Sequence, residues 1–199
     1  MTVFSESELL TLEEFQIEVF LRLLCESGTH LIQRFGSRKA KKHIVEVVAL
    51  IWNPDVTITE CDALISKLQK VTDNDEDDSR KPVYYSMRGH WITIWALKAM
   101  LAKPSRIRNT CNDIAGELVS IASCLDCPPV GTFVLTAWNE VDQQNGKYER
   151  EETAYLQHCV SLTRKLDSSN SPKLVSLREM NRIHVDRLSK QLKARFYKK

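Results

Sequence analysis

Glycine is scarce in this chain and is never clustered. The six glycines stand apart from one another, so no GxxxxGK or GxGxxG loop is present to cradle a nucleotide phosphate. Long apolar runs are also lacking. The most apolar stretch, residues 91–102, contains Lys98 and is far shorter than the roughly 20 residues that a membrane-spanning helix needs. The beginning of the chain has no basic segment followed by an apolar one, so we expect a protein that is not secreted and is cytoplasmic or nuclear.

Cysteine pairs with metal-binding spacing are almost absent. The six cysteines are spread along the chain, and only Cys124 and Cys127 have two residues between them, the spacing that zinc ligands often have. A structural zinc site needs four cysteine or histidine ligands, usually as two such pairs, and the sequence offers no second pair. We therefore expect reduced thiols and neither a metal nor another cofactor.

Patterns that support catalysis are missing as well. No serine lies in a glycine-flanked elbow, and the five histidines are scattered along the chain. A single histidine or cysteine without a partner at a defined spacing does not identify a nucleophile or a general base. The sequence therefore predicts a protein without enzymatic activity.

Apolar residues recur at helical spacing through most of the chain, and no alternating run of strand length is present. The pattern predicts an all-α fold, a compact bundle of about seven helices. We expect the first helix to begin at Thr11, to be interrupted at Gly28 and to end at Gly36, and the second to cover residues 38–52. The third begins at Thr57 or Thr59, and Pro104 follows the fourth, residues 90–102.

The second half of the chain has the clearer helix signals. Residues 107–125 have apolar side chains at three- and four-residue steps, and shorter patterns cover residues 132–141 and 148–166. Ser171 followed by Pro172 is typical of a helix start, so we expect the last helix to begin there. Trp91 and Trp95 lie one turn apart in an apolar helix, and we expect both in the core.

Charge divides the chain into two parts. Residues 173–199 carry a local charge of +7, whereas the first 172 residues sum to −5. We therefore describe residues 1–172 as a helical body, with an acidic loop at 73–78, and residues 173–199 as a basic amphipathic C-terminal helix, within the same domain or as an appended arm.

The basic residues favour nucleic-acid binding, to RNA more than to DNA, because cations hold phosphates while nearby rings stack on unpaired bases. The positive end of the helix dipole at the start of residues 38–52 would add to that attraction. The candidate residues are Arg34, Arg38, Lys39, Lys41, Lys42, Arg106, Arg108, Arg178, Arg182, Arg187, Lys190 and Lys193.

An alternative function is protein binding without catalysis. If the last helix is not packed on the body, its apolar stripe through Leu188, Leu192 and Phe196 would pair with a second copy or with another protein. Such a helical adaptor or assembly protein would resemble small viral or regulatory accessory proteins in character. A basic amphipathic helix also suits an anionic membrane surface, which we rank below both other partners.

Overall fold

The computed structural model describes residues 3–71, 78–127, 146–168 and 171–196, and every regular element in these ranges is an α-helix. The all-α prediction is therefore confirmed. The helices are α1 (Glu6–Leu10), α2 (Glu14–Phe35), α3 (Arg38–Lys41), α4 (Ile44–Ile51), α5 (Ile58–Gln69), α6 (Pro82–Ala99), α7 (Pro104–Ser123), α8 (Lys147–Thr163) and α9 (Pro172–Ala194). None of the described helices combines the length and apolar composition needed to cross a membrane.

The start of the bundle differs from the sequence prediction. Thr11 does not begin a helix; it is the C-cap of α1, where its hydroxyl donates to the Glu8 carbonyl at 2.7 Å. A capping box between Ser5 and Glu8 begins α1 instead. The long helix α2 begins three residues after Thr11, at Glu14, and the Gln16 side chain accepts from the backbone N–H of the N-cap Glu13 at 3.0 Å. Two capping patterns within twelve residues begin two separate helices, and the sequence prediction placed neither helix start correctly.

Gly28 does not interrupt α2, which continues without a break to Phe35. The glycine is needed because α2 crosses α6 at this point. A Cβ atom built on Gly89 of α6 would lie 2.7 Å from the Gly28 carbonyl oxygen, and one built on Gly28 would lie 2.9 Å from the Gly89 oxygen. The two glycines therefore allow the helix backbones to approach closely, and tertiary packing compensates for their low helix propensity.

Other boundaries also changed. The helix predicted over residues 38–52 is divided at Lys42 and His43 into α3 and α4. The fourth helix begins at Pro82 rather than near residue 90, and Pro104 is the first residue of α7, where its missing N–H costs nothing. The predicted starts at Thr57 and Ser171 are confirmed as N-caps of α5 and α9. Residues 73–77 of the acidic loop and the helix predicted at 132–141 lie outside the described residues.

The last helix is docked on the body of the protein. In α9, Leu188 and Leu192 are buried in the common core, and the Asn181 amide donates to the Leu23 carbonyl of α2 at 3.0 Å. The Phe196 ring packs edge-on against Phe35, with 6.4 Å between ring centres. The apolar stripe that the sequence offered to a partner is therefore used within the chain, and its residues are not an exposed surface.

Substitution of Gly89 by alanine should destabilise the protein. The added methyl group would overlap the Gly28 carbonyl, and overpacking of this kind costs about 1–3 kcal/mol, more than the roughly 1 kcal/mol that alanine gains in helix propensity. Urea unfolding followed by circular dichroism measures the change. Gly116→Ala is the matched control because Gly116 is half-buried in α7 and lines a surface cleft; it should be neutral or stabilising. Equal stability of the two variants would contradict the close crossing.

Candidate nucleic-acid interface

The basic residues of α3 and of the end of α9 lie at the same end of the bundle. Asp186 of α9 accepts a hydrogen bond from Arg34 at the end of α2, with 2.7 Å between the atoms. Ten residues further along the chain and just past the end of α9, Phe196 contacts both Phe35 of α2 and Tyr85 of α6. Because α3 follows directly after α2, the chain ends of α2 and α9 bring two basic segments together.

We call this group the basic end and define it by the cations of α3 and its C-cap together with those of the last turns of α9. Its members are Arg38, Lys39, Lys41, Lys42, Lys190, Lys193 and Arg195. Arg38, Lys39 and Lys42 are exposed, and Lys41 is half-buried. None of these four forms an ion pair with an acidic residue in the part of the chain that the structure describes. Their charge is therefore available to an anion in solution.

The helix-dipole contribution that we expected at Arg38 is reduced. Ser37 caps α3 by accepting from the Ala40 N–H at 3.2 Å, but α3 has only four residues. A single turn aligns few peptide dipoles, so its N-terminus carries little positive charge of its own. The anion attraction at the basic end rests on the side chains.

Most of the arginines predicted on α9 already have partners within the protein. Arg182 pairs with Glu179 on the same helix, and Lys190 pairs with Asp186 at 2.6 Å. Arg187 lies 3.4 Å from the His184 ring nitrogen. The +7 charge of the C-terminal segment already counts Glu179 and Asp186, so these pairs do not reduce it, but they hold Arg182 and Lys190 against neighbouring carboxylates.

Arg178 has the most extensive internal contacts. Its guanidinium donates to Glu26 of α2 at 2.8 Å and lies 4.1 Å from the ring centre of Trp52. The Trp52 indole N–H donates to the same carboxylate oxygen at 2.6 Å, and Glu26 is only 8% exposed. Arg178 therefore neutralises a nearly buried carboxylate and joins α2, α9 and the end of α4. The sequence analysis placed Arg178 among the nucleic-acid-binding residues, but its contacts assign it a structural role.

The other two predicted cations lie elsewhere. Arg108 of α7 donates to the carbonyl oxygens of Leu9 and Leu12, both at 3.2 Å, and so holds α1 against the body. Arg106 is exposed and borders a cleft between α6 and α7. Neither joins the basic end, because α6 carries the chain away from that end before α7 begins.

Trp95 was expected in the core, but it is 37% exposed and lines that cleft, whose volume is about 640 Å³. Its ring stacks on Trp91, with ring centres 6.3 Å apart and planes at 28°. The sequence prediction failed because α6 is apolar nearly all round, which does not reveal which face remains uncovered. An exposed, stacked indole offers a flat surface to a planar ligand.

The cleft carries charges of both signs. Lys98 and Arg106 line it together with Asp113, Glu117 and Glu149. Burial raises the pKa of Glu117, and its partner Arg88, 3.0 Å away, acts in the opposite direction. The cleft is therefore less suited than the basic end to hold several phosphates, although its cations could hold one beside a stacked base.

A buried polar cluster was not anticipated from the sequence. His184 of α9 lies 2.7 Å from the Glu152 carboxylate of α8, and the Tyr155 ring stacks parallel to the imidazole at 3.4 Å. The Tyr155 hydroxyl donates to Asn181 at 3.0 Å. The cluster lies between α8 and α9 and does not line the cleft at Trp95, so we assign it to the docking of α9.

Within residues 3–71, 78–127, 146–168 and 171–196, no three His, Cys, Asp or Glu side chains are grouped to hold a metal ion. Burial raises the pKa of the Cys124 thiol, which disfavours the thiolate that zinc requires. Comparison of the chain with protein-family models, curated proteins and solved structures finds no match among any of them.

Arg178→Gln should lower the free energy of unfolding by about 1–3 kcal/mol, because it leaves the nearly buried Glu26 carboxylate without its cation. Arg182→Gln is the matched control on the same helix. Arg182 is exposed and pairs only with Glu179, so the loss should stay below about 0.5 kcal/mol. Urea unfolding measures both, and indistinguishable stabilities would contradict the structural role of Arg178.

Proposed function

We propose that the protein binds nucleic acid without catalysis and that the basic end is its principal contact with the phosphate backbone. The observation that carries the proposal is the set of four cations at Arg38, Lys39, Lys41 and Lys42, which have no acidic partner among the described residues. They lie beside the cationic end of α9. Lysine and arginine side chains that neutralise phosphates release condensed counterions, which supplies most of the affinity of such contacts.

RNA is the favoured nucleic acid because of Trp95. Unpaired bases occur mainly in RNA loops and single strands, and they stack on exposed aromatic rings. Ten residues of α6 separate Tyr85, at the basic end, from Trp95, a rise of about 15 Å along the helix axis. A few nucleotides of a single strand can cover that distance. Lys98 and Arg106 in the cleft would hold a phosphate next to the stacked base.

The cellular setting follows from the thiols. All six cysteines are unpaired, and five of them are buried. Free thiols are typical of reducing compartments, so we assign the protein to the cytoplasm or the nucleus. The second candidate function is that of a helical adaptor, which is favoured by exposed apolar residues on α4 and α9.

Neutralising the basic end should weaken nucleic-acid binding. We expect the variant with glutamine at Arg38, Lys39, Lys41 and Lys42 to bind an unstructured RNA 12-mer at least about tenfold more weakly. The salt dependence should also become weaker. The magnitude of the slope of log affinity against log salt should decrease by up to about 3, since each phosphate contact on a single strand contributes about 0.7. Fluorescence anisotropy at several salt concentrations measures both quantities.

The control for this experiment removes the same charge elsewhere. Glutamine at the exposed residues Lys70, Lys147, Lys165 and Lys173 gives the same net charge but leaves the basic end intact. This variant should retain most of the affinity and nearly the full salt slope. Equal losses in the two variants would point to a nonspecific charge effect, and no binding by the unmodified protein at low salt would refute the function. Binding to anionic lipid vesicles in place of RNA would identify a membrane surface as the polyanion.

Trp95→Ala should separate RNA from duplex DNA. Loss of one stacked base costs about 1–3 kcal/mol, so affinity for the single-stranded RNA should fall by between about fivefold and about 150-fold. Affinity for duplex DNA should not change, because its bases are already stacked. The measurement is a competition between the two nucleic acids, and an equal effect on both would exclude Trp95 as a base-stacking residue.

A further inference from the structure

Helix α4 exposes apolar side chains that a monomer would be expected to bury. Seven of its eight residues are apolar, yet only Val47 and Ile51 are buried. Val45 is 76% exposed, and Ala49, one turn later on the same face, is exposed as well. On α9, Val175 and Ile183 are 71% and 58% exposed. Contiguous exposed apolar surface with a polar rim is typical of an interaction site.

A groove lies between α4 and α9 beside these residues. Val48 of α4 and Val175 of α9 form its walls, and Glu26 and His30 of α2 lie in its floor. Its volume is about 350 Å³. The α9 residues that line it run from Val175 to Arg182, about 10 Å along the helix axis. A groove of this length matches about two turns of a helix laid along it.

The rim of the groove is basic. Arg178 and Arg182 line its α9 side, and on the α4 side the exposed cations of α3 and its C-cap, Arg38 and Lys42, with the half-buried Lys41, directly precede α4 in the chain. The acidic residues in and around it are already paired within the chain. Glu26 pairs with Arg178, Glu46 pairs with Lys67, and Glu179 pairs with Arg182. These pairs neutralise Arg178 and Arg182 as well as the carboxylates, so the positive charge left for a partner is that of Arg38, Lys41 and Lys42, none of which has an acidic partner among the described residues.

We propose that this groove docks an acidic amphipathic helix of a partner protein. Apolar side chains at three- and four-residue steps would contact Val45, Val48 and Val175, and carboxylates on the flanks of the helix would face the basic rim. A symmetric contact with a second copy through the same face is disfavoured, because it would bring two basic rims together. A nucleic acid would leave the apolar walls uncovered.

Two synthetic peptides test the proposal. Both have 18 residues with leucine at helical three- and four-residue steps; one has glutamate at the flanking positions and the other lysine. Anisotropy titration of the full-length protein should show saturable binding of the glutamate peptide and none of the lysine peptide. Amide chemical shifts should change along α4 and at Val175–Ile183. The variant Val45→Gln with Val175→Gln should bind the glutamate peptide at least about tenfold more weakly.

The controls separate this inference from the proposed function. Val45→Gln with Val175→Gln changes no charge, so RNA binding through the basic end should be unaffected. Ala154→Gln, at an exposed position of α8, should change neither activity. The inference is refuted if the glutamate peptide does not bind at about 1 mM, if both peptides bind equally, or if the double variant binds like the unmodified protein. Concentration-dependent dimerisation that the double variant abolishes would refute it in favour of a second copy, and vesicle binding lost in that variant would refute it in favour of a membrane.

Discussion

The close crossing of α2 and α6 at Gly28 and Gly89 is the constraint on which the rest of the fold depends. Helix α2 contacts α3, α4, α6, α7, α8 and α9, so its position relative to α6 sets the position of every later element. The crossing also aligns the ends of α2 and α9 with the start of α6. That alignment brings Phe35, Tyr85 and Phe196 together and thereby places α3, which follows Phe35, at the same end of the bundle as the end of α9.

Internal ion pairing decides which cations remain for a partner. By sequence, the C-terminal segment carries the largest excess of positive charge in the chain. In the folded protein, Arg178, Arg182 and Lys190 each have a carboxylate partner, whereas the cations of α3 have none within the part of the chain that the structure describes. The proposed interface is therefore centred on α3, with the end of α9 in support. Neutralisation within the protein matters as much as net charge for recognition of a polyanion.

Local signals in the sequence were sufficient for the fold class and for several helix starts. Thr57 with Glu60, and Ser171 with Pro172, mark starts that depend on neighbouring residues only. Gly28 and Trp95 were misplaced for a different reason. A glycine that breaks a helix and one that admits a second helix look identical along the chain, and an apolar helix does not show which tryptophan its neighbours leave uncovered. Likewise, the partner of Arg178 is Glu26, 152 residues away, which no spacing rule identifies.

A nuclear magnetic resonance titration with single-stranded RNA tests the central claim most directly, because it reports on every element at once. The indole signals distinguish the two surfaces, since Trp95 is exposed in the cleft whereas the Trp52 N–H is bonded to Glu26. The account predicts shifts in the amides of residues 38–42 and in the Trp95 indole, with the Trp52 indole unchanged. Shifts confined to other faces of the bundle, or a Trp52 indole that moves while residues 38–42 do not, would contradict it.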